Sequence, residues 1–320
     1  MLVAALAATP PAPEVRCTLT DPRLDELSGL VAIPSGLWAV ADGGRRVEVH
    51  RLDERCGIAQ TRTAAVDPYD AEDLARGPGD TLWVADFGDN QRRRDTVAVV
   101  VLSEDADPRL HRLSYPDGPR DAEALLVDAA GVPHVLTKDT GRAEIYRTDG
   151  PPVGPGPTPL VRAGEVVLPP SDTAGGPLGS LGSRVVTGAA VGPGVIALRT
   201  YTDAWLYPWS GGDLAAALRA DPVRVPLPGE PQGEAVAFEP DGTLLSASET
   251  RDGRRGELRA VPGAAALVRP DSAAPREQAP QAAPQPARPE WFPAALGAAG
   301  AAGALALLAA AAALHARRRR

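Results

Sequence analysis

The sequence is poor in the side chains that most often bind metals or act as bases, with two cysteines, four histidines and one lysine among 320 residues. The cysteines lack the spacing of a structural zinc site. Aromatic residues make up only 4% of the chain, so its core must be built mainly from Val, Leu and Ala. The net charge is −8, and the only run of four basic residues is Arg317–Arg320. This balance argues against nucleic acid as a partner.

Long hydrophobic runs are also rare, and the clearest one lies near the C-terminus. Trp291–Leu314 carries no charge, and at about 1.5 Å per helical residue it can span the ~30 Å hydrocarbon core of a membrane. The basic tail at 315–320 should stay in the cytoplasm. The pattern predicts a transmembrane helix at 291–314, with a soluble Ala-rich helix as the alternative. The Pro- and Ala-rich segment 270–290 is typical of an extended linker.

The N-terminus agrees with export. Residues 1–13 resemble the end of a signal peptide, although the apolar stretch is short and lacks a basic start. We therefore expect region 14–269 to lie outside the cell, anchored to the cell membrane by a single span. An even number of cysteines in an exported protein suggests one disulfide, Cys17–Cys56. Two buried free thiols are the alternative.

A short phrase recurs along the chain. Asp70-Ala71-Glu72-Asp73-Leu74 returns as Asp121-Ala122-Glu123-Ala124-Leu125, and in looser form as Gln232-Gly233-Glu234-Ala235-Val236. Each copy opens a series of short strands rich in Val, Leu and Thr, separated by Gly, Pro and Asp. A repeat of roughly 40–50 residues indicates a blade architecture. The predicted fold is all-β, a five-bladed β-propeller over residues 14–269.

Four predicted blades have four strands each, whereas the fifth lacks an outer strand. The segment Glu14–Leu19 precedes the first blade and can fill this gap, which would leave no open sheet edge. This closure would also bring Cys17 close to Cys56. Six blades are the alternative, if Ala264–Val268 and the Pro/Gly-rich stretch Gly150–Ser183 hide another. One short helix is predicted, within Gly212–Ala220.

The repeats also support a family resemblance. Leu27-Ser28-Gly29-Leu30 followed by Leu37-Trp38-Ala39-Val40-Ala41-Asp42, together with the Asp-Ala-Glu openings, resembles bacterial secreted propellers of the esterase-like phytase type. The resemblance covers about residues 20–262 and implies a propeller fold and phosphoester or ester hydrolysis. It assigns no catalytic residue in this chain, and it does not extend to the linker and the predicted membrane helix.

Charged residues recur where inner strands begin and second strands end, and these positions share one rim of a propeller. The rim is predicted to be a ligand site formed by Asp42, Glu72, Asp86, Asp89, Asn90, Glu123, Lys138, Arg199, Glu234 and Glu249. The carboxylates of Glu72, Asp86, Glu123 and Glu234 could hold Ca²⁺, which takes 6–8 oxygen ligands. Lys138 and Arg199 could engage an anionic group. The alternative is that these charges only stabilise loops.

The favoured interpretation is a membrane-anchored binding module for an unknown extracellular ligand, cell-wall polymer or protein. Arginine-rich loops on the same face are expected to be ordinary solvated loop ends, with contact to an anionic cell-wall polymer as the alternative. The rival interpretation is a metal-assisted phosphoester or ester hydrolase at the same rim. A serine-hydrolase elbow is absent from the sequence, and His50, His111 and His134 lie in predicted strands, where we expect surface positions. Fold alone does not decide between these functions.

Overall fold

The computed structural model describes residues 10–268. Residues 1–9 of the predicted signal-peptide remnant (1–13) lie outside the described residues. The predicted linker, the predicted transmembrane helix and the basic tail lie wholly outside them. None of the helices within residues 10–268 is long and apolar enough to cross a membrane.

Five sheets within these residues confirm the predicted five-bladed β-propeller, and all their strand pairings are antiparallel except one. Blade 1 consists of Leu27–Ile33, Gly36–Ala41, Val47–Leu52 and Ile58–Ala64. Blade 2 consists of Ala71–Arg76, Leu82–Asp86, Val97–Leu102 and Arg109–Ser114. Blade 3 consists of Ala122–Val127, Pro133–Thr137, Arg142–Arg147 and Val161–Val167. Blade 4 consists of Val186–Gly192, Val195–Thr200, Asp203–Pro208 and Val223–Pro226. Blade 5 consists of Gln232–Phe238, Leu244–Glu249, Glu257–Val261 and Glu14–Thr18.

The sixth blade considered above is not formed. Ala264–Leu267 is a 3₁₀-helix, and Gly150–Ser183 contributes the outer strand of blade 3 and part of a 3₁₀-helix, Gly179–Arg184. The same stretch also sends Thr158–Pro159 back to blade 2, where it pairs in parallel with the outer strand. The predicted helix is confirmed as one turn, Leu214–Ala217, and further 3₁₀-turns are Pro22–Leu24 and Pro78–Asp80.

Burial within each blade follows the position of the strand. Val97–Leu102 is buried at every residue, because both faces of an internal strand are covered by neighbouring blades. The outer strand Arg109–Ser114 alternates between exposed and more buried residues instead. The resulting core consists of layers of aliphatic residues between adjacent blades, with few aromatic side chains.

The ring is closed by the N-terminal strand, as the sequence predicts. Glu14–Thr18 pairs antiparallel with Glu257–Val261, so that Glu14 lies opposite Ala260. The disulfide Cys17–Cys56 joins this strand to the turn between the two outer strands of blade 1, and the two Cα atoms are 6.0 Å apart. A hydrogen-bonded strand and a covalent bond therefore secure the contact between the first and last blades.

A β-bulge interrupts the register near the start of every inner strand. The bulged residues are equivalent in all five blades: Ser28, Glu72, Glu123, Thr187 and Glu234. A bulge leaves its extra residue outside the ladder and re-aims its side chain. The recurring Glu of the sequence repeat is therefore placed at the end of the central channel where the inner strands begin, which we call the channel mouth.

Asp73 closes the channel just below the mouth. This fully buried side chain follows the bulge in blade 2, and its Oδ1 accepts a hydrogen bond from the Leu74 N–H at 2.8 Å. Its Oδ2 accepts from the Leu125 N–H of blade 3 at 2.8 Å and from the Ala189 N–H of blade 4 at 3.2 Å. The inner strands pair on one edge only, so these amides belong to edges that face the axis. One carboxylate thus ties three blades together.

A candidate ligand-binding site at the channel mouth

The mouth is built from two sets of equivalent positions. The bulged residues form the inner set, in which Glu72, Glu123 and Glu234 are acidic. The outer set lies at or just after the end of each second strand and contains Asp42, Phe87, Lys138, Tyr201 and Glu249. Asp70 and Glu26 precede the inner strands of blades 2 and 1. Carboxylates therefore come from four of the five blades.

Lys138 is the ammonium group at the centre of this acidic arrangement. Its Nζ forms an ion pair with Oε1 of Glu123, whose side chain is only 2% exposed. The same Nζ lies 5.9 Å from the centroid of the Tyr201 ring, within the range of a cation–π contact. The other carboxylate oxygen of Glu123, Oε2, is buried and has no hydrogen-bond partner. Lys138 thus pairs with one oxygen of the Glu123 carboxylate and leaves the other without a hydrogen-bond partner.

Burial and mutual repulsion raise the pKa values of Glu234 and Glu249 at the mouth. Burial is the largest cause for Glu234, whose pKa is raised to about 8, and the charge of Glu249 is the next. The pKa of Glu249 is raised to about 7 by burial and then by Glu26 and Asp42. Lys138 opposes both shifts without cancelling them. The single ammonium group of Lys138 therefore does not compensate the negative charges that Glu234 and Glu249 carry when ionised.

Asp70 and Glu72 of blade 2 behave in the same way. Burial raises the pKa of Asp70 to about 7, and a hydrogen bond and the charge of Asp42 add to the effect. The pKa of Glu72 lies well above its usual range because of burial and then the charge of Asp70. A Cβ added at Gly88 would collide with carboxylate oxygens of both Asp70 and Glu72, so a larger residue there would displace these two side chains. Glycine at this position therefore leaves room for both carboxylates.

Two other predicted rim residues instead stabilise the loop after the second strand of blade 2. Asp86 accepts hydrogen bonds from the Tyr69 and Asp70 N–H groups, both at 3.1 Å, and pairs with Arg94 at 3.0 Å. Asp89 accepts from the Arg93 and Arg94 N–H groups. Asn90 is exposed in the same loop. The alternative that rim charges order loops therefore describes both aspartates.

Arg199 does not lie at the exposed mouth. It is fully buried between blades 4 and 5 and forms an ion pair with Glu230, which also accepts a hydrogen bond from the Ser246 hydroxyl at 2.9 Å. Burial lowers the pKa of Arg199, against the charge of Glu230. The position equivalent to Lys138 in blade 4 is taken by Tyr201, a residue that the charge pattern did not indicate.

The expectation of surface histidines is wrong. His50, His111 and His134 are all buried. Their Nδ1 atoms lie 2.9 Å from Thr61 Oγ1, 2.7 Å from the Gly154 carbonyl and 3.1 Å from the Val132 carbonyl, respectively. Burial lowers the pKa of His50 and of His134. Each histidine is thus a packed strand residue with a local hydrogen bond.

The described residues do not contain a ready-made metal centre. Within residues 10–268 no group of three or more His, Cys, Asp or Glu side chains is arranged so that it could hold a metal ion. Of the four predicted Ca²⁺ ligands, Asp86 faces Arg94 and Glu123 faces Lys138. Two of the four carboxylates are thus already engaged by a cation of the chain, and Ca²⁺ at this rim stays a prediction.

Comparisons with known proteins return distant propellers. No family model matches the chain, and no curated protein matches it. Among solved structures, glutaminyl cyclase from Myxococcus xanthus is 13% identical, with 78% of this chain and 97% of that chain covered and a TM-score of 0.44. A gluconolactonase from Xanthomonas campestris is 15% identical, with 82% and 89% covered and a TM-score of 0.42. Regucalcin from Agrobacterium tumefaciens, described as a calcium-binding protein, is 13% identical, with 77% and 94% covered and a TM-score of 0.42. These likenesses are too distant to indicate what this chain does.

The raised pKa values make stability depend on pH in a definite direction. A carboxyl group with a higher pKa in the folded chain holds a proton that the unfolded chain releases, so the free energy of unfolding falls as pH rises between the two values. For Glu234 that range runs from about 4.5 to about 8. We expect a fall of several kcal/mol between about pH 5.5 and 8.5, since one pKa unit is worth about 1.4 kcal/mol. Urea unfolding at both pH values measures it.

Glu234→Gln should flatten this pH dependence, because the amide keeps an acceptor for Gln232 and cannot ionise. The matched control is Glu54→Gln, at an exposed turn of blade 1, which should leave the slope unchanged. Equal slopes in the two variants, or stability that increases toward pH 8.5 in the unaltered chain, would contradict the prediction.

Proposed function

We propose that this chain is a binding module whose channel mouth takes an alkylammonium group of its ligand. The observation that carries the proposal is the buried Oε2 of Glu123, which has no partner although Lys138 occupies Oε1. Glu72 and Glu234 occupy the equivalent positions of two other blades. A second ammonium would supply the missing positive charge and hydrogen bonds.

The chain itself supports the choice of an ammonium over a metal ion. Lys138 already places a primary ammonium against a buried carboxylate and a tyrosine ring. An ammonium needs only a few acceptors and accepts an aromatic neighbour, whereas Ca²⁺ requires a shell of oxygen atoms. The carboxylates of the mouth provide the few acceptors that an ammonium group needs.

The test uses n-butylammonium, which reproduces the lysine side chain. The full-length chain is titrated at pH 8.5 with n-butylammonium chloride replacing sodium chloride at constant ionic strength, and the melting temperature is followed. A ligand that binds only the folded chain adds about 2.7 kcal/mol at a hundredfold excess over Kd. We expect saturable stabilisation by n-butylammonium and none by n-butanol, which has the same alkyl chain without the charge.

Matched variants localise the effect. Glu234→Gln and Glu72→Gln should weaken the response to n-butylammonium, whereas Glu54→Gln should retain it. An unaltered chain that responds equally to sodium and to n-butylammonium sinks the proposal. Stabilisation by calcium chloride alone would replace it with the calcium site predicted from the sequence.

We further propose two properties that the sequence predicts. Attachment to the cell membrane through residues 291–314 is supported by the uncharged run and the arginine tail, and retention in membranes after an alkaline carbonate wash would check it. Phosphoester or ester hydrolysis is supported only by the resemblance to esterase-like phytases, and turnover of a chromogenic phosphoester by the full-length chain would check that.

A further inference from the structure

The end of the channel opposite the mouth opens into a cavity of about 420 Å³, which we call the funnel. Its walls are the last residues of all five inner strands and the turns that follow them. The lining is mainly Leu, Val, Ala and Pro, with Trp209 and Phe238 as its aromatic residues. Asp73 and the amides bound to it lie above its inner end, so the funnel is separated from the acidic mouth.

A repeated proline shapes the rim of the funnel. The sixth residue after the bulged residue is a proline in four blades, namely Pro34, Pro78, Pro193 and Pro240. In blade 3 it is Ala129. Proline has no N–H for a ladder and ends an inner strand at that point. Three of these prolines and Ala129 line the funnel. The rim is therefore apolar and conformationally restricted by the same repeat that makes the mouth acidic.

The charged side chains at the rim already have partners. Arg76 pairs with Asp80, and Glu239 pairs with Arg16 at 3.2 Å. Asp128 accepts hydrogen bonds from the Ala130 and Val132 N–H groups at 2.9 and 2.8 Å. The funnel thus offers no unpaired charge to an ionic ligand, in contrast to the mouth.

The inner strands also leave some main-chain N–H and C=O groups that need a hydrogen-bond partner. Each is the edge strand of its sheet on the channel side, so its unpaired main-chain groups face the axis. Buried main-chain N–H and C=O groups require a hydrogen-bond partner. Asp73 supplies one for three amides at the inner end. An occupant of the funnel would therefore be apolar with one or two hydrogen-bonding atoms.

We propose that the funnel is a second binding site, for a neutral and mainly apolar small molecule that carries a hydrogen-bonding group. Small-molecule sites are typically cavities of about 300–1,000 Å³ with apolar walls and few polar groups. The funnel meets both criteria and differs from the mouth in charge and position. Its ligand is consequently of a different class from the ammonium ligand of the mouth.

The test uses N-phenyl-1-naphthylamine, an uncharged fluorescent probe with one N–H group. We expect saturable fluorescence enhancement by the full-length chain with one site per molecule. Ala129→Trp places an indole at the rim and should weaken binding at least about tenfold. Ala130→Trp alters the neighbouring exposed residue, which does not line the funnel, and should leave binding unchanged within about twofold.

Both substitutions lie in one exposed turn, so that unchanged far-UV circular dichroism can establish that the variants fold. The absence of enhancement with the unaltered chain, or equal binding by the two tryptophan variants, overturns the proposal. Binding that arises only after limited proteolysis trims the chain ends also overturns it, because the funnel would then hold a segment of this chain. n-Butylammonium should not displace the probe, which separates this site from the mouth.

Discussion

Replacing Asp73 with alanine is expected to destabilise the propeller by about 3–5 kcal/mol, the largest effect of any single substitution considered for this chain. The side chain is fully buried and accepts hydrogen bonds from amides of blades 2, 3 and 4. Each buried N–H left without an acceptor costs about 1–3 kcal/mol. Relief of the buried charge offsets part of this sum, since burial raises the pKa of Asp73 to about 7. Urea unfolding at pH 7 measures the net loss.

Two further variants show whether the loss of stability arises from the buried hydrogen bonds of Asp73. Asp73→Asn keeps one acceptor oxygen and introduces an NH₂ group that faces the amides, so its loss should be smaller than that of Asp73→Ala but still measurable. Asp53→Ala is the matched control, because Asp53 accepts from two main-chain amides at 2.8 Å in an exposed turn. Water can replace that acceptor. A loss for Asp73→Ala no larger than for Asp53→Ala would show that the three blades do not depend on this carboxylate.

Removing the disulfide is expected to cost about 4 kcal/mol, from the chain-entropy relation for the cross-linked loop. The two cysteines are 39 residues apart, and Cys17 belongs to the strand that completes blade 5. In the double variant Cys17→Ser/Cys56→Ser, this strand is held in place by hydrogen bonds and packing alone. We therefore expect a lower melting temperature for the double variant in the absence of reductant.

Reductant provides the internal control for this experiment. Dithiothreitol should lower the melting temperature of the unaltered chain to that of the double serine variant and leave the variant itself unaffected. If the unaltered chain melts at the same temperature with and without dithiothreitol, while alkylation shows that the thiols have been freed, the disulfide does not stabilise the ring.

The closure of the ring was predictable from the sequence because it follows from the number of strands in each blade. A fifth blade without an outer strand and an unassigned strand at Glu14–Leu19 leave one arrangement without an open edge. The disulfide follows from that arrangement. The sequence could not show the parallel pairing of Thr158–Pro159, since two residues in a long Pro/Gly-rich connection carry no periodicity.

The candidate site was predictable in part, for a different reason. The repeated Glu marks the bulge, so Glu72, Glu123 and Glu234 could be placed at one end of the channel before their geometry was known. Arg199 was misplaced because a shift of two residues along a strand separates the exposed end from a buried pair with Glu230. Tyr201 carries no charge, so the pattern of charged residues that predicts the rim does not include it.

The direction of the N-terminal strand determines the side of the propeller at which the described residues begin. Since Glu14 lies opposite Ala260, and Val261 pairs with Leu244 at the end of the blade where the funnel opens, both described chain ends leave from that side. A group attached at either described end would thus face away from the acidic end of the axis. The channel mouth would then remain open to solution, whereas a molecule approaching the funnel would meet the attached group.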